Sequence, residues 1–488
     1  MLPARRSAVR ALALPVLLVT AIVLQTQAAD AGYGGPFRRH GRTALSAALK
    51  TNQGKPRPVA SPSPTASPSA SPSASPSAAP APSPTSTPVT VTDSTTGQAF
   101  TIGVTHTRFT ADSWNDPGAI SRAKSILGGS VTLQNQHLMG FGADNPEPSD
   151  GVYDFGVLDE RMDLIRSSGG TPVITLCCSP DWMKGGTPGS TDWSTLEVAP
   201  LPSHYADYAK LAETVARRYP WVKRYQVWNE LKGFWNGSLN RWDYEGYTSL
   251  YNQVYDRLKA VDPTIQVGGP YVVMDTWSKA SVMSNPSSLA GPWGVVDQRS
   301  LDVLTYWLSH AHGADFVVVD AALKTRDAGM TTDAVTAIGK FAAVASWLRA
   351  RTTLPIWFGE YYVDHGSTTL TDASHAALHA LAVLRMVQGG ANAALQWSPQ
   401  YDAGDPYPAL WTSTATSTGG QRLPLADVDA SLRQVLSGTP AASPLTDVAP
   451  GVVTYRSSTG LLAVNATDVA VVIGTTTVPA NGVVVLPV

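Results

Sequence analysis

The sequence predicts an α/β fold, a parallel (β/α)8 TIM barrel carrying a small β-sandwich at its C-terminal end. Three observations lead there. Eight short runs rich in β-branched and apolar residues recur at 101–106, 131–135, 172–178, 225–230, 264–271, 315–320, 355–361 and 392–398. Between them lie longer stretches, such as 204–218 and 247–260, where apolar residues return every three or four positions, the spacing that gives a helix one buried stripe. Strand then helix, repeated in this way, closes a sheet on itself with the helices outside. Finally, no Gly-rich phosphate loop follows the first run, so the main sign of an open doubly wound sheet is missing.

In chain order, residues 1–31 come first. Arg5, Arg6 and Arg10 precede an uncharged apolar run over 11–24, and Ala28, Ala29 and Ala31 offer small residues for cleavage. These are the marks of an export signal. The apolar run is shorter than the roughly 20 residues that span a bilayer, which favours a cleaved signal peptide over an N-terminal anchor. Either places the protein in a secreted or cell-surface location, with envelope association through the N-terminus as one form of it. Residues 32–92 read as a linker. Its part 58–92 holds no charged residue and is built mainly from Ser, Pro, Ala and Thr, a composition that stays extended because it has no core to bury. The barrel is expected over 93–421. Beyond it, strand-like runs at 452–455, 461–464, 469–473 and 482–488, separated by Gly, Asn and Pro, predict an accessory β-sandwich over 422–488.

Composition narrows the function. Charged residues are 15 % of the chain and the formal net charge is -2. There is no basic excess to meet a nucleic acid, and no nucleic-acid partner is expected. The two cysteines, Cys177 and Cys178, are adjacent, so they form at most a vicinal bridge and staple nothing at long range. Nothing near them completes a metal ligand set, and neither a metal nor a cofactor is expected. Fourteen Trp and seventeen Tyr supply flat rings that suit sugar faces and equally suit a large core.

In such a barrel the chemistry sits where strands end. Run four ends Trp228-Asn229-Glu230, and run seven carries Phe358-Gly359-Glu360. Two carboxyls therefore reach one rim from opposite sides. Glycoside cleavage needs this: one carboxyl protonates the leaving oxygen while the other attacks or assists from the opposite face. Each closes an apolar run, where an unused carboxylate is costly; the alternative is a pair of ordinary loop carboxylates.

An Asn-Glu pair on the fourth strand with a second Glu on the seventh resembles the retaining glycoside hydrolases of clan A, the 4/7 superfamily. The Trp228-Asn229-Glu230 motif, with Ser179-Pro180-Asp181-Trp182 after run three, looks most like glycoside hydrolase family 39, which includes β-xylosidases. The resemblance spans about residues 100–420. It implies Glu230 as acid/base, Glu360 as nucleophile, and Asn229 on the sugar 2-hydroxyl. It further implies a β-xylosidase-like hydrolase of oligo- or polysaccharide substrates that retains configuration. Two rival readings stay open: endo action on an exopolysaccharide or a cell-wall arabinan or galactan, and a non-catalytic glycan-binding envelope protein.

Further candidates follow from the other run ends. Trp397 closes run eight, where this superfamily places a platform under the reacting sugar; the alternative is a lid-packing Trp. Trp182 either walls the site or packs the core. His106, closing run one, either bonds a sugar hydroxyl or is structural. Asn135, at the end of run two, and Tyr362, after Glu360, complete the expected substrate-binding set, and Trp235 and Trp242 line outer subsites or pack their own loop. One position departs from the resemblance. Run six ends on Asp320, where relatives commonly carry His or Tyr. A third carboxylate there would raise the pKa of its neighbours, and it loosens the link to xylosides.

Overall fold

The computed structural model of the protein describes residues 100–363, 370–401 and 408–486. The expected signal or anchor at 1–31 and the linker at 32–92 lie outside these residues. Among the described residues, no helix is long and apolar enough to cross a membrane.

Eight parallel strands close one barrel: β1 (Thr101–Thr105), β2 (Leu133–His137), β3 (Thr171–Leu176), β4 (Arg224–Val227), β5 (Gln266–Val273), β6 (Phe316–Ala322), β7 (Ile356–Tyr362) and β8 (Ala393–Trp397). Each neighbours the next, and β8 pairs with β1 to complete the ring. A helix follows each strand: α1 (Pro117–Ser130), α2 (Gly156–Ser167), α3 (Tyr205–Arg218), α4 (Tyr244–Val261), α5 (Gln298–His310), α6 (Gly339–Arg349), α7 (Asp372–Gln388) and α8 (Pro424–Leu436). Local chemistry marks several starts. Asp116, Asp243, Asp297 and Thr371 each accept a backbone N–H of the first turn of α1, α4, α5 and α7, and such a cap contributes about 1 kcal/mol. Helix α3 buries Tyr205, Tyr208, Leu211, Ala212 and Val215, the three-and-four spacing read from 204–218.

The barrel interior is filled rather than hollow. Leu133, Val173, Phe316, Val318, Trp357 and Leu395 belong to one buried apolar cluster. One step along the strands lies a hydrogen-bonded belt. Asn135 Nδ2 donates to Thr105 Oγ1 at 3.1 Å, Thr175 Oγ1 donates to Asn135 Oδ1 at 2.9 Å, and Gln226 Nε2 donates to Thr175 Oγ1 at 3.0 Å. Polar groups withdrawn from water need partners, and this belt supplies them across four strands.

Several boundaries differ from the sequence expectation. Strand β2 continues to His137, past the expected end at Asn135, whereas β4 stops at Val227, so that Trp228, Asn229 and Glu230 form a turn. Helix α8 lies beyond the boundary expected at 421/422. It buries Leu425, Val428, Leu432 and Val435 and packs beside α1, α7 and β1, so it is the eighth helix of the barrel. Strands β9 (Pro440–Ala449), β10 (Val452–Ser457), β11 (Gly460–Asn465) and β12 (Gly482–Leu486) then make one antiparallel sheet, with a two-stranded ribbon of Val471–Ile473 and Thr476–Val478. This C-terminal β domain lies against α7 and α8. The Ser457 and Thr459 hydroxyls donate to the carbonyls of Val435 and Gln434, and Arg385 of α7 pairs with Asp447.

Candidate active site

Two irregularities in the barrel wall aim side chains at the rim. Between β5 and β6 the register runs Val318 to Pro270 and then Val319 to Val272, so Tyr271 is an extra residue, held at φ +54°. Between β6 and β7 it runs Val319 to Phe358 and then Asp320 to Glu360, so Gly359 is extra. Bulges of this kind re-aim the side chains beside them. Position 359 has no room for a side chain. A Cβ there would stand 2.6 Å from Val318 Cγ1 and 2.9 Å from both Tyr271 Cζ and Gln226 Oε1. As a result Glu360 stands abreast of Asp320, and the Tyr271 hydroxyl donates to Glu360 Oε1 at 2.6 Å. The Tyr362 hydroxyl donates to Glu360 Oε2.

The turn after β4 delivers the other glutamate. Trp228, Glu230 and Leu231 have φ of +69°, +50° and +49°, a left-handed backbone that costs a non-glycine residue roughly 1–2 kcal/mol. Packing over-determines it. The Trp228 ring is buried edge-on between Tyr208 and Phe234, each 5.7 Å away, and its Nε1 donates to the Lys232 carbonyl at 2.7 Å. The turn sets Lys232 Nζ 2.7 Å from Glu230 Oε2 and 2.7 Å from Glu197 Oε1.

Together these devices gather three carboxyls. One oxygen from each of Glu230, Asp320 and Glu360 lies within 4.8 Å of the other two, and all three residues are at most 5 % exposed. Among the described residues this cluster is compact enough to surround a cation, and the Lys232 ammonium pairs with one of its three members, Glu230. Burial and then the Glu230 charge push the Glu360 carboxyl up, to about 8, against the two tyrosine hydrogen bonds. Burial acts on Glu230 in the same sense, but the Lys232 charge and hydrogen bonds from Asp320 and Lys232 outweigh it and bring Glu230 below its usual value. Asp320 is raised well above the carboxylate range by burial, by its hydrogen bond with Glu230 and by the charges of both glutamates.

The sequence candidates fall into two groups. Glu230, Glu360, Asn229, Tyr362 and Trp397 are brought together. Asn229 is buried and its Oδ1 takes no donor. Trp397 packs edge-on to Phe141 at 5.4 Å and to His137 at 6.0 Å, and His137 in turn lies by Asn229 and Glu230. Tyr362 meets Glu360 rather than open space. The rest are spent elsewhere. Asn135 is consumed by the interior belt. His106 is fully buried with its Nε2 on Gln134, at 3.0 Å, and burial and then Arg161 lower it to about 3, so it is neutral. Trp182 Nε1 donates to the Glu147 carbonyl at 2.9 Å, and its ring meets His204 edge-on. Sequence reasoning missed His137, Tyr271 and Lys232. Tyr271 closed run five and was open to the same rule that picked out Glu360.

Cys177 and Cys178, just past β3, are joined to each other by a disulfide and are buried.

Comparison with known proteins places these features. The family model for glycosyl hydrolases family 39 matches residues 138–398, just over half of the chain. None of the curated proteins compared with the chain matches it. Among solved structures, a conserved exported protein from Bacteroides fragilis is similar with a TM-score of 0.57 and 11 % identity, over 80 % of this chain and 97 % of that one. SrfJ from Salmonella typhimurium is similar with a TM-score of 0.52 and 13 % identity, over 79 % and 88 %. A monomeric β-xylosidase from Caulobacter crescentus CB15 gives 0.48 and 18 %, over 75 % and 74 %. Likenesses at these identities concern the fold alone.

Proposed function

The chain belongs to glycosyl hydrolases family 39 and is a glycoside hydrolase, and from that premise we propose that it cleaves O-glycosidic bonds with retention of configuration. In this reading Glu230 protonates the departing oxygen while Glu360 attacks the anomeric carbon. Glu230 then takes a proton from the water that releases the glycosyl-enzyme. The observation that carries it is the spacing of the carboxyls. Oxygens within 4.8 Å suit the separation of about 5–5.5 Å used in double displacement better than the roughly 6.5–9.5 Å that inversion uses. The unpartnered Oδ1 of Asn229 supports a contact with the sugar 2-hydroxyl, which would satisfy it. Trp397 and Phe141 offer an aromatic wall for the sugar face. The run-end pattern makes β-xylosides the first substrates to assay, and the N-terminal charge and apolar pattern supports export.

The test is kinetic and stereochemical. Glu360→Ala should lose turnover. Glu230→Ala should fall by about 10²–10⁴-fold on glycosides with poor leaving groups, yet still glycosylate on dinitrophenyl glycosides and yield a glycosyl azide of unchanged anomeric configuration when azide is added. An inverted first product, or a Glu230→Ala variant equal to wild type, would refute the assignment.

A further inference from the structure

We propose that Asp320 and Glu230 share one proton, and that Asp320 is a positioning residue which keeps Glu230 supplied with the proton it gives to the leaving oxygen. The inference rests on the acid/base reading of Glu230. Its first support is the contact itself. Oxygens of these two buried carboxyls lie within 4.8 Å of each other, each carboxyl acts on the other as a hydrogen-bond partner, and Asp320 Oδ1 is buried with no hydrogen-bond partner. Ionised carboxylates only accept, so two of them meet only with a proton between them. A bare Asp320 carboxylate would instead be a buried charge without a hydrogen bond.

The second support is what surrounds the pair. Asp320 faces Glu230, Glu360, Lys232, Tyr271 and, from α6, Lys340. Lys340 Nζ is engaged by Thr276 Oγ1 and the Ala322 carbonyl. Glu230 faces Lys232, Asp320, His137 and Glu360. Lys232, in direct contact, favours the ionised form of Glu230, and an ionised Glu230 alone has no proton to give. Asp320 retains one, since burial and the two neighbouring glutamates hold its carboxyl in the protonated form. His137 cannot replace it, since burial lowers that ring to about 4 and leaves it neutral.

The step balances. Before reaction Glu360 carries one negative charge and the Asp320–Glu230 pair carries another. As Glu360 bonds to the anomeric carbon, the bond to the leaving oxygen breaks with its electron pair on that oxygen, which takes the shared proton. Glu360 becomes a neutral ester and the pair gains one charge, so the cluster total facing Lys232 is unchanged. In the second step water attacks the anomeric carbon, its proton returns to the pair, and the ester electrons return to Glu360.

Asp320→Asn keeps the shape and removes the shared proton. Beside wild type and Glu230→Ala, its kcat/KM should be measured against pH and against leaving group. On unactivated glycosides we expect a loss of about 10²-fold, with dinitrophenyl glycosides within about threefold of wild type. The basic limb should move down by about one pH unit or more, because Glu230 is left to Lys232. Asp320→Glu should restore both, and Asp320→Ala offers a second route to the same split. An unshifted basic limb, or an equal loss on both substrates by a variant folded by circular dichroism, would overturn proton sharing. A Glu230→Ala variant without leaving-group dependence would instead remove the acid/base reading beneath it.

Discussion

Glu360 is pulled in two directions. Burial and the Glu230 charge raise its proton affinity, to about 8, whereas the Tyr271 and Tyr362 hydroxyls favour its ionised form. A nucleophile must be ionised. The acidic limb of kcat/KM, which reports the free enzyme, should therefore lie near 8 and not in the usual carboxylate range, with activity rising as pH climbs toward it. Glu230→Gln removes the raising charge and should shift that limb to lower pH on an activated aryl glycoside. Tyr271→Phe removes a donor and should shift it upward. A hydrogen bond to a charged group is worth about 1.5–3 kcal/mol, so kcat/KM at neutral pH should also fall roughly 10- to 100-fold. A wild-type limb below about 5 would contradict this account. Part of this chemistry was legible in the sequence. Glu230, Glu360 and the odd Asp320 each stand at the end of a run. The controlling neighbours were not. Lys232 lies past its run in a left-handed turn, and His137 ends a strand two residues beyond the run read from the sequence, next to a Gln136 that bonds Arg161 of α2.

At the scale of the element, the site depends on two bulges that no propensity announces. An extra residue in a parallel strand changes which side chains stand abreast without changing composition, so periodicity finds β5 and β7 but not where Tyr271 and Glu360 point. Gly359→Ala tests this. Its Cβ would meet the Tyr271 ring and Gln226 at 2.9 Å, and overpacking of this kind costs about 1–3 kcal/mol. Thermal unfolding should show that loss. kcat/KM should fall with it and the acidic limb should rise, since the ring displaced is the one that donates to Glu360. A variant with a lowered Tm but an unshifted limb would separate the bulge from the chemistry. Helix α8 teaches the complementary lesson. Pro424 at its start and Leu425, Val428, Leu432 and Val435 at helical spacing are ordinary helix signals, overshadowed in the sequence by the strand-like runs just after them.

At the scale of the whole molecule, the barrel and the C-terminal β domain lie within one compact unit, and α7 shows why. Leu381, Ala382, Val383 and Leu384 are all fully buried. Successive helical residues point about 100° apart, so four in a row sweep the full circle. A helix buried on every side needs cover on every side. The barrel provides one face, and β11 and β12 of the terminal sheet lie against the helix as well. Ending the chain at Gly438 would uncover α7 and α8 together. Each large apolar side chain returned to water forfeits about 1.5–3 kcal/mol, so two or three of them remove much of the roughly 5–15 kcal/mol that holds a domain folded. The truncated protein should aggregate or melt well below the intact one, and should lose hydrolysis although every rim residue remains. Arg385→Ala is the matching control. It deletes the pair with Asp447, which is half exposed, and an exposed bond to Gln388, and should cost less than about 1 kcal/mol. A truncated chain that stays monomeric and active with an unchanged Tm would mean that α7 needs no cover from the sheet.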